Sequence, residues 1–251
     1  GVEAHQTLRV QLNKSEHAIQ NTLLAVGSHD LILDVLSNLF ETSLEPYHLS
    51  SVHVGSYAGL LALRQNESNL AMSHLLDTDG RYNHQSVLKL FKPDEVVLIK
   101  AVQRIQGLIV NKGNPLNIQS LDDLVRVRFV NRQRGAGTRV LLDYWLTQAK
   151  MDASRISGYT KELSTHLAVA AAVRNQSVDC GLGIQAAAEI MGCDFIPLGQ
   201  EDYDFVLYKK DLHSPMHQHL LQILTSDGFK RALEHLGGYA FPQLGEVITY
   251  D

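Results

Sequence analysis

From Thr22 onward the chain alternates short apolar runs with amphipathic stretches. Thr22-Leu23-Leu24-Ala25-Val26 is a compact apolar run that stops at Gly27-Ser28-His29-Asp30. Leu31, Leu33, Val35, Leu36, Leu39 and Phe40 then follow, largely at helical spacing. The pattern predicts a strand, a tight loop and a helix. Leu49 to Val54 predicts a second strand, Tyr57 to Asn66 a helix, and Leu70 to Leu75 a third strand. A further strand from Glu95 to Ala101 continues towards Gly107-Leu108-Ile109-Val110. The rhythm then restarts. Arg128-Phe129-Val130-Asn131 reads as a strand, Arg134 to Thr138 as a loop, Val140 to Lys150 and His166 to Asn175 as helices, and Val178 to Gly181 as a strand. Phe195 to Leu198 and Asp204 to Tyr208 read as strands, followed by one closing helix from Pro215 to Leu236. Residues 1–21 carry no period and read as a linker or the tail of a preceding domain.

Two stretches align by eye. Ala62-Leu63-Arg64-Gln65-Asn66-Glu67-Ser68-Asn69-Leu70-Ala71 and Ala172-Val173-Arg174-Asn175-Gln176-Ser177-Val178-Asp179-Cys180 each end a helix with Arg, turn through Asn/Gln/Ser and enter a strand. The expectation is an α/β chain of two similar lobes. If the last strand returns to the first half, two crossovers form a hinge near Val102–Gly107 and Leu198–Asp204. Residues 22–104 and 202–251 then make lobe 1, and 105–201 make lobe 2. A ligand would sit between the lobes, where strand ends meet helix starts.

Charge sharpens this picture. The chain holds 22 Lys/Arg against 27 Asp/Glu, a net −5, so no general affinity for nucleic acid is indicated. Yet Arg126, Arg128, Arg132, Arg134 and Arg139 follow one another with no acid among them. Only Cys180 and Cys193 are present, which argues against a disulfide framework, and no apolar run is long enough to span a membrane. The start, Gly1-Val2-Glu3-Ala4-His5, shows no signal peptide, so a cytoplasmic place is expected unless the start is processed or truncated.

The best candidate site is Asn131-Arg132-Gln133-Arg134-Gly135-Ala136-Gly137-Thr138-Arg139. Glycines Gly135 and Gly137 let backbone approach a ligand, and the following helix offers free N–H groups and a positive dipole end. Thr138 can cap that helix or donate its hydroxyl. A guanidinium supplies a planar fork for an oxyanion; Arg134 and Arg139 are the expected inward-facing pair, with Arg132 third. Ser28, Ser56 with Tyr57, Ser73 beside His74, and Thr165 beside His166 occupy equivalent loops. Asp30 is expected to serve the helix dipole.

Other motifs carry less. Gly181-Leu182-Gly183-Ile184-Gln185-Ala186 fits a dinucleotide GxGxxA pattern, but a strand holding Asp179 precedes it, and a strand-to-helix turn is the plainer reading. There is no GxxxxGK[ST], and Gly55-Ser56-Tyr57-Ala58-Gly59 has serine misplaced for a nucleophile elbow. His213, His217 and His219 read as a solvated cluster, and Asp77-Thr78-Asp79-Gly80 as a turn. No metal or cofactor is expected.

The run Asn131 to Asp143 resembles the periplasmic-binding-protein-like domain related to molybdate- and tungstate-binding proteins. So do Gly27 to Asp30, Gly55 to Leu60, Ala71 to Leu75, Gly107 to Val110 with Gly113-Asn114-Pro115, and Asp179 to Gly183. The resemblance runs from about Leu23 to Leu236. It implies the type II periplasmic-binding-protein fold and a cleft that closes on a small oxyanion such as molybdate or tungstate. Ser28, Ser56, Arg134, Gly137, Thr138 and Thr165 would touch that ligand. It also implies partnership with a helix-turn-helix or molybdopterin-biosynthesis domain outside this chain, in regulation or transport. The chain is expected to bind rather than catalyse. Two alternatives stand: an organic anion held against Tyr57, Tyr203 or Phe205, and an enzyme using His29, His74, His166 or Asp204 on a small carboxylate or phosphate.

Overall fold

The computed structural model describes residues 16–250. Most of the segment read as a linker, residues 1–15, lies outside them; Glu16–Gln20 forms a short helix, α1. Strand β1 (Thr22–Gly27), helix α2 (Ile32–Glu41), β2 (His48–His53), α3 (Ser56–Arg64) and β3 (Leu70–Ser73) follow as the periodicity predicts. After α4 (His84–Leu88) comes β4, a single strand of 15 residues from Val96 to Val110. The restarted pattern gives β5 (Phe129–Arg132), α5 (Gly137–Gln148), β6 (Glu162–Leu163), α6 (His166–Arg174), β7 (Cys180–Ile184) and α7 (Gln185–Ile190). A second 15-residue strand, β8 (Asp194–Tyr208), returns the chain. Then come α8 (Pro215–Thr225), α9 (Asp227–Leu236), β9 (Tyr239–Ala240) and β10 (Val247–Thr249).

The strands form one mixed sheet in the order β2-β1-β3-β8-β4-β7-β5-β6, with β9 and β10 paired to β4. Read from either end, the order is second, first and third strand of one half, then the long strand that arrives from the other. The two halves therefore share one topology, and β4 and β8 are exchanged between them. These two strands run antiparallel along their whole length, from Val96 opposite Tyr208 to Val110 opposite Asp194, with irregularities at Lys100/Val102 and Gln106/Gly107. They are the two crossovers of a two-lobed type II architecture.

Helices cover both faces of each half, so each half holds two cores. In the first, Leu23, Ile32, Leu36, Phe40, Phe205 and Phe229 cluster on one face, and Leu60, Leu63, Leu98 and Val206 on the other. In the second, strand alternation sends Ile109 and Val130 towards Val169 and Ala170, and Leu108 and Phe129 towards Leu142 and Leu146. The buried Val, Leu, Ile and Phe side chains each stabilise the fold by about 1.5–3 kcal/mol.

Three boundaries and one burial differ from the sequence reading. The closing helix is two helices, because Ser226 takes an extended conformation and its Oγ accepts from Phe229 N at 3.2 Å, capping α9. Helix α5 begins at Gly137, so Gly137, Thr138 and Arg139 form its first turn and leave the loop. Gly181 to Ile184 is strand, not turn. His217 and His219 lie on the buried face of α8, bonded to Ser214 and Ser43, and are not solvated.

Candidate functional site

Four chain turns meet where the two lobes face each other. Strand β1 delivers Ser28 and His29, and the end of β2 delivers His53 ahead of Gly55. From the opposite lobe, β5 ends at Arg132 and α6 begins behind Ser164 and Thr165. Together they enclose a cavity of about 150 Å³. At ~30 Å³ per water this holds the equivalent of about five waters, which suits a ligand of few atoms. Glycine makes the close approach feasible. Gly55 has φ 90°, and a Cβ there would lie 3.2 Å from Gly135 O across the cleft. A Cβ on Gly137 would fall 2.2 Å from His74 Cε1. Any side chain at Gly137 would hold the lobes apart.

Arg132 dominates the cavity's charge. Its residue is 5% exposed, and Nη2 donates to Ser164 O at 2.9 Å. Nε and Nη1 are buried with no hydrogen-bond partner, and among the described residues no carboxylate reaches the guanidinium. Burial, reinforced by the Arg104 charge, pulls its pKa down to about 10. At neutral pH it stays cationic, a buried charge whose natural complement is an anion. Thr165 caps α6 by accepting from Ala168 N at 3.0 Å, which leaves its hydroxyl proton free. The first-turn N–H groups of α6 add a positive dipole end.

A buried relay stands behind Ser28. Ser28 Oγ lies 2.7 Å from His74 Nε2, and His74 Nδ1 lies 3.1 Å from Glu201 Oε2. Glu201 Oε1 accepts from Gln106 Nε2 at 2.6 Å and from Arg104 Nε. Arg104 Nη1 donates to Asp30 Oδ2 at 2.5 Å, and Asp30 Oδ1 accepts from Ile32 N and Tyr239 Oη. Burial would raise the Glu201 carboxyl, but Arg104 and the bonds from His74 and Gln106 hold it at about 2. Burial lowers His74 and, further, His166, where Arg132 and Arg104 add to the effect; His29 and His53 are lowered too. All four rings are neutral near neutral pH.

Of the residues singled out from sequence, Ser28 and Thr165 line the cavity. Arg134 does not: its side chain is 83% exposed, with Nε 3.6 Å from Glu162. Arg139 is buried elsewhere, stacked 4.1 Å over Tyr159 and paired with Asp143. The arginine expected third, Arg132, faces the cavity. Thr138 accepts from Gln106 Nε2 at 3.2 Å, tying α5 to β4. Ser56 Oγ accepts from His74 N, and Ser73 Oγ donates to Asn83, so both hold loops and neither lines the cavity. Gly135 stands over the rim opposite Gly55, and Tyr57 is 54% exposed outside. Tyr203 and Phe205 are core residues, so no aromatic wall forms. Asp30 does meet the start of α2, but its larger role is to pair Arg104.

Arg104, Gln106 and Glu201 were missed as site residues. Their signal was there: polar residues breaking an otherwise apolar run in the middle of a strand. His29, singled out only as an acid or base for the enzyme alternative, lines the cavity, and its ring meets that of His53 edge to face at 4.5 Å; His53 gave no sequence signal. A larger groove of about 210 Å³ lies at the far end of the second half near Pro115 and Leu116, but its arginine, Arg128, is already spent on Asp179.

The sequence profile of the PBP superfamily domain matches residues 37–225. The uncharacterized protein YvgK of Bacillus subtilis (strain 168) is 35% identical over 226 residues, covering 89% of this chain and 72% of that protein. Among solved structures, a putative phosphate ABC transporter substrate-binding protein with bound phosphate from Clostridium perfringens superposes with a TM-score of 0.64. It is 12% identical, over 91% of this chain and all of that one. The effector binding domain of QuiR in complex with shikimate gives a TM-score of 0.59 at 11% identity, over 83% of this chain and 97% of that one. At such identities the two structures establish a shared fold.

Proposed function

The chain belongs to the PBP superfamily, and from that premise we propose that it binds one small anion in the cavity between its lobes and closes upon it. The observation that carries this reading is Arg132, a buried guanidinium with two unpaired nitrogens and no carboxylate, on the wall of a cavity sized for a few atoms. Thr165 and the start of α6 supply further donors. Solved relatives of this fold hold phosphate in one case and shikimate, a carboxylate, in another; both present oxyanions that a guanidinium fork fits. Molybdate and tungstate belong in the same titration. Closure about β4 and β8, with the lobes dividing near residues 104/105 and 201/202, would convert occupancy into a shape that a transport or regulatory partner reads. A fused or separate DNA-binding or molybdopterin-biosynthesis domain would be such a partner.

The test is calorimetric titration of the chain with phosphate, sulfate, molybdate, tungstate and shikimate, repeated on Arg132→Met. Binding of at least one anion, weakened about a hundredfold or more in the variant, supports the reading. An Arg132→Met protein that binds as tightly as the parent sinks it.

One observation favours a second reading. Ser28, His74 and Glu201 stand in the hydrogen-bond order of a hydrolytic triad. Covalent labelling of Ser28 by a fluorophosphonate, absent in His74→Ala, would move the chain from binding to acyl transfer.

A further inference from the structure

The relay behind Ser28 fixes which way its hydroxyl points. Glu201 is buried, ionised and an acceptor only, so the hydrogen bond at 3.1 Å requires the proton on His74 Nδ1. His74 is buried, and the Glu201 carboxylate it meets is already paired with Arg104, so the ring is neutral, its Nε2 carries a lone pair, and the 2.7 Å contact is a bond donated by Ser28. The single Ser28 proton is thereby committed away from the cavity. Towards the cavity Ser28 offers lone pairs. Elsewhere on the wall Arg132 and Thr165 offer protons. Resting on the anion-binding reading, we infer that Ser28 selects anions that carry a hydrogen on oxygen, with His74 and Glu201 as positioning residues that set its polarity.

The chemical class follows from the pairing. The ligand needs charge and acceptor oxygens for Arg132 and Thr165, and one O–H for Ser28. A monoprotonated phosphorus oxyanion, phosphate or phosphonate, has both. Sulfate, molybdate and tungstate are fully deprotonated near neutral pH and would set an oxygen lone pair against that of Ser28. A site built around a ligand hydroxyl rejects isosteres that lack it far more strongly than an apolar pocket rejects a missing methylene. Molybdate and tungstate thereby stand behind phosphorus oxyanions as ligands for this site.

The substitution Glu201→Gln should reverse the relay. The carboxamide oxygen still accepts from Arg104 and Gln106, while the carboxamide nitrogen donates to His74 Nδ1. The His74 proton then moves to Nε2 and donates to Ser28, whose own proton is released towards the cavity. The experiment is calorimetry near neutral pH with phosphate, methylphosphonate, sulfate and molybdate, on the parent chain and on Glu201→Gln. The parent should prefer phosphate to sulfate by about tenfold or more, and the variant should lose or invert that preference. The tighter of phosphate and methylphosphonate names the source of the P–OH group. Equal binding of phosphate and sulfate by the parent, or an unchanged ratio in a folded variant, overturns the inference and leaves anion binding intact. Failure of every anion to bind overturns both. Nitrogen-15 shifts of the His74 ring in the parent chain give an answer that does not depend on the variant folding: a protonated Nδ1 supports the relay, a protonated Nε2 refutes it.

Discussion

Two buried arginines about the same cleft have opposite fates. Arg104, at the middle of β4, donates to Asp30 and Glu201 and lies 4.9 Å over the Tyr203 ring; of its nitrogens only Nη2 lacks a partner. Burial alone would lower its pKa, but the two carboxylates more than offset this and raise it. Arg132, at the end of β5, has one backbone carbonyl and, among the described residues, no carboxylate, and its pKa falls. Both are about equally hidden from water. What separates them is whether the fold itself provides the counter-charge. Where it does, the cation is structural; where it does not, the position is held open for something from solution.

Removing each cation should break this contrast in opposite directions. The largest effect is expected at Arg104→Met, which strands two buried carboxylates and should cost about 3–5 kcal/mol, read as a lower midpoint in denaturant unfolding. Arg132→Met removes an unpaired buried charge. The unliganded protein should become more stable by about 1–3 kcal/mol, while anion-induced stabilisation disappears. A loss of stability at Arg132→Met would mean that the fold does supply its partner.

Acid tests the neutral rings beside these cations. His74 and His166 have folded pKa values below their ordinary 6.5, so below that pH the unfolded chain binds protons that the folded chain refuses. Stability should be unaffected by them above pH 6.5 and fall as pH drops, by about 1.4 kcal/mol per unit per ring. In Arg132→Met the fall should end at a higher pH and be smaller in total, since Arg132 is the second cause of the His166 shift. The smallest effect is expected at Arg134→Ala: within ~0.5 kcal/mol in stability and no change in anion affinity.

Much of the fold was legible because its strands and helices bury one face and follow their periods. β1 to α3, and β5, α5 and α6, fall within a few residues of the apolar rhythm. In the sequence β4 is plain only from Glu95 to Ala101 and again from Gly107, because Gln103, Arg104 and Gln106 intervene, and β8 looks like two strands because Gln200, Glu201 and Asp202 divide it. Lys100, Gln103, Arg104 and Gln106 are polar because they pair with Glu201, Asp202 and Asp204 across the strand pair, a partnership invisible along either strand alone. The site was found in outline for the same reason and mis-ranked in detail. Glycine spacing points to the loop after β5, but which arginine turns inward depends on the turn at Gln133–Gly135. That turn leaves Arg132 in strand register beside the α6 face and sends Arg134 outward. Ser28 could be marked as a donor or acceptor only once His74 and Glu201 were seen behind it.

The exchange of β4 and β8 also sets an order in time. The first half of the chain cannot close its sheet when its own residues have been made, because the strand between β3 and β4 is supplied by Phe205 and its neighbours. The second half already has β4 beside β7 and needs only the opening of β8. On a ribosome, where folding follows synthesis from the N-terminus, the lobe encoded second would be the first to complete its core. The lobe encoded first would wait, with β3 unpaired along one edge, until its missing strand arrives.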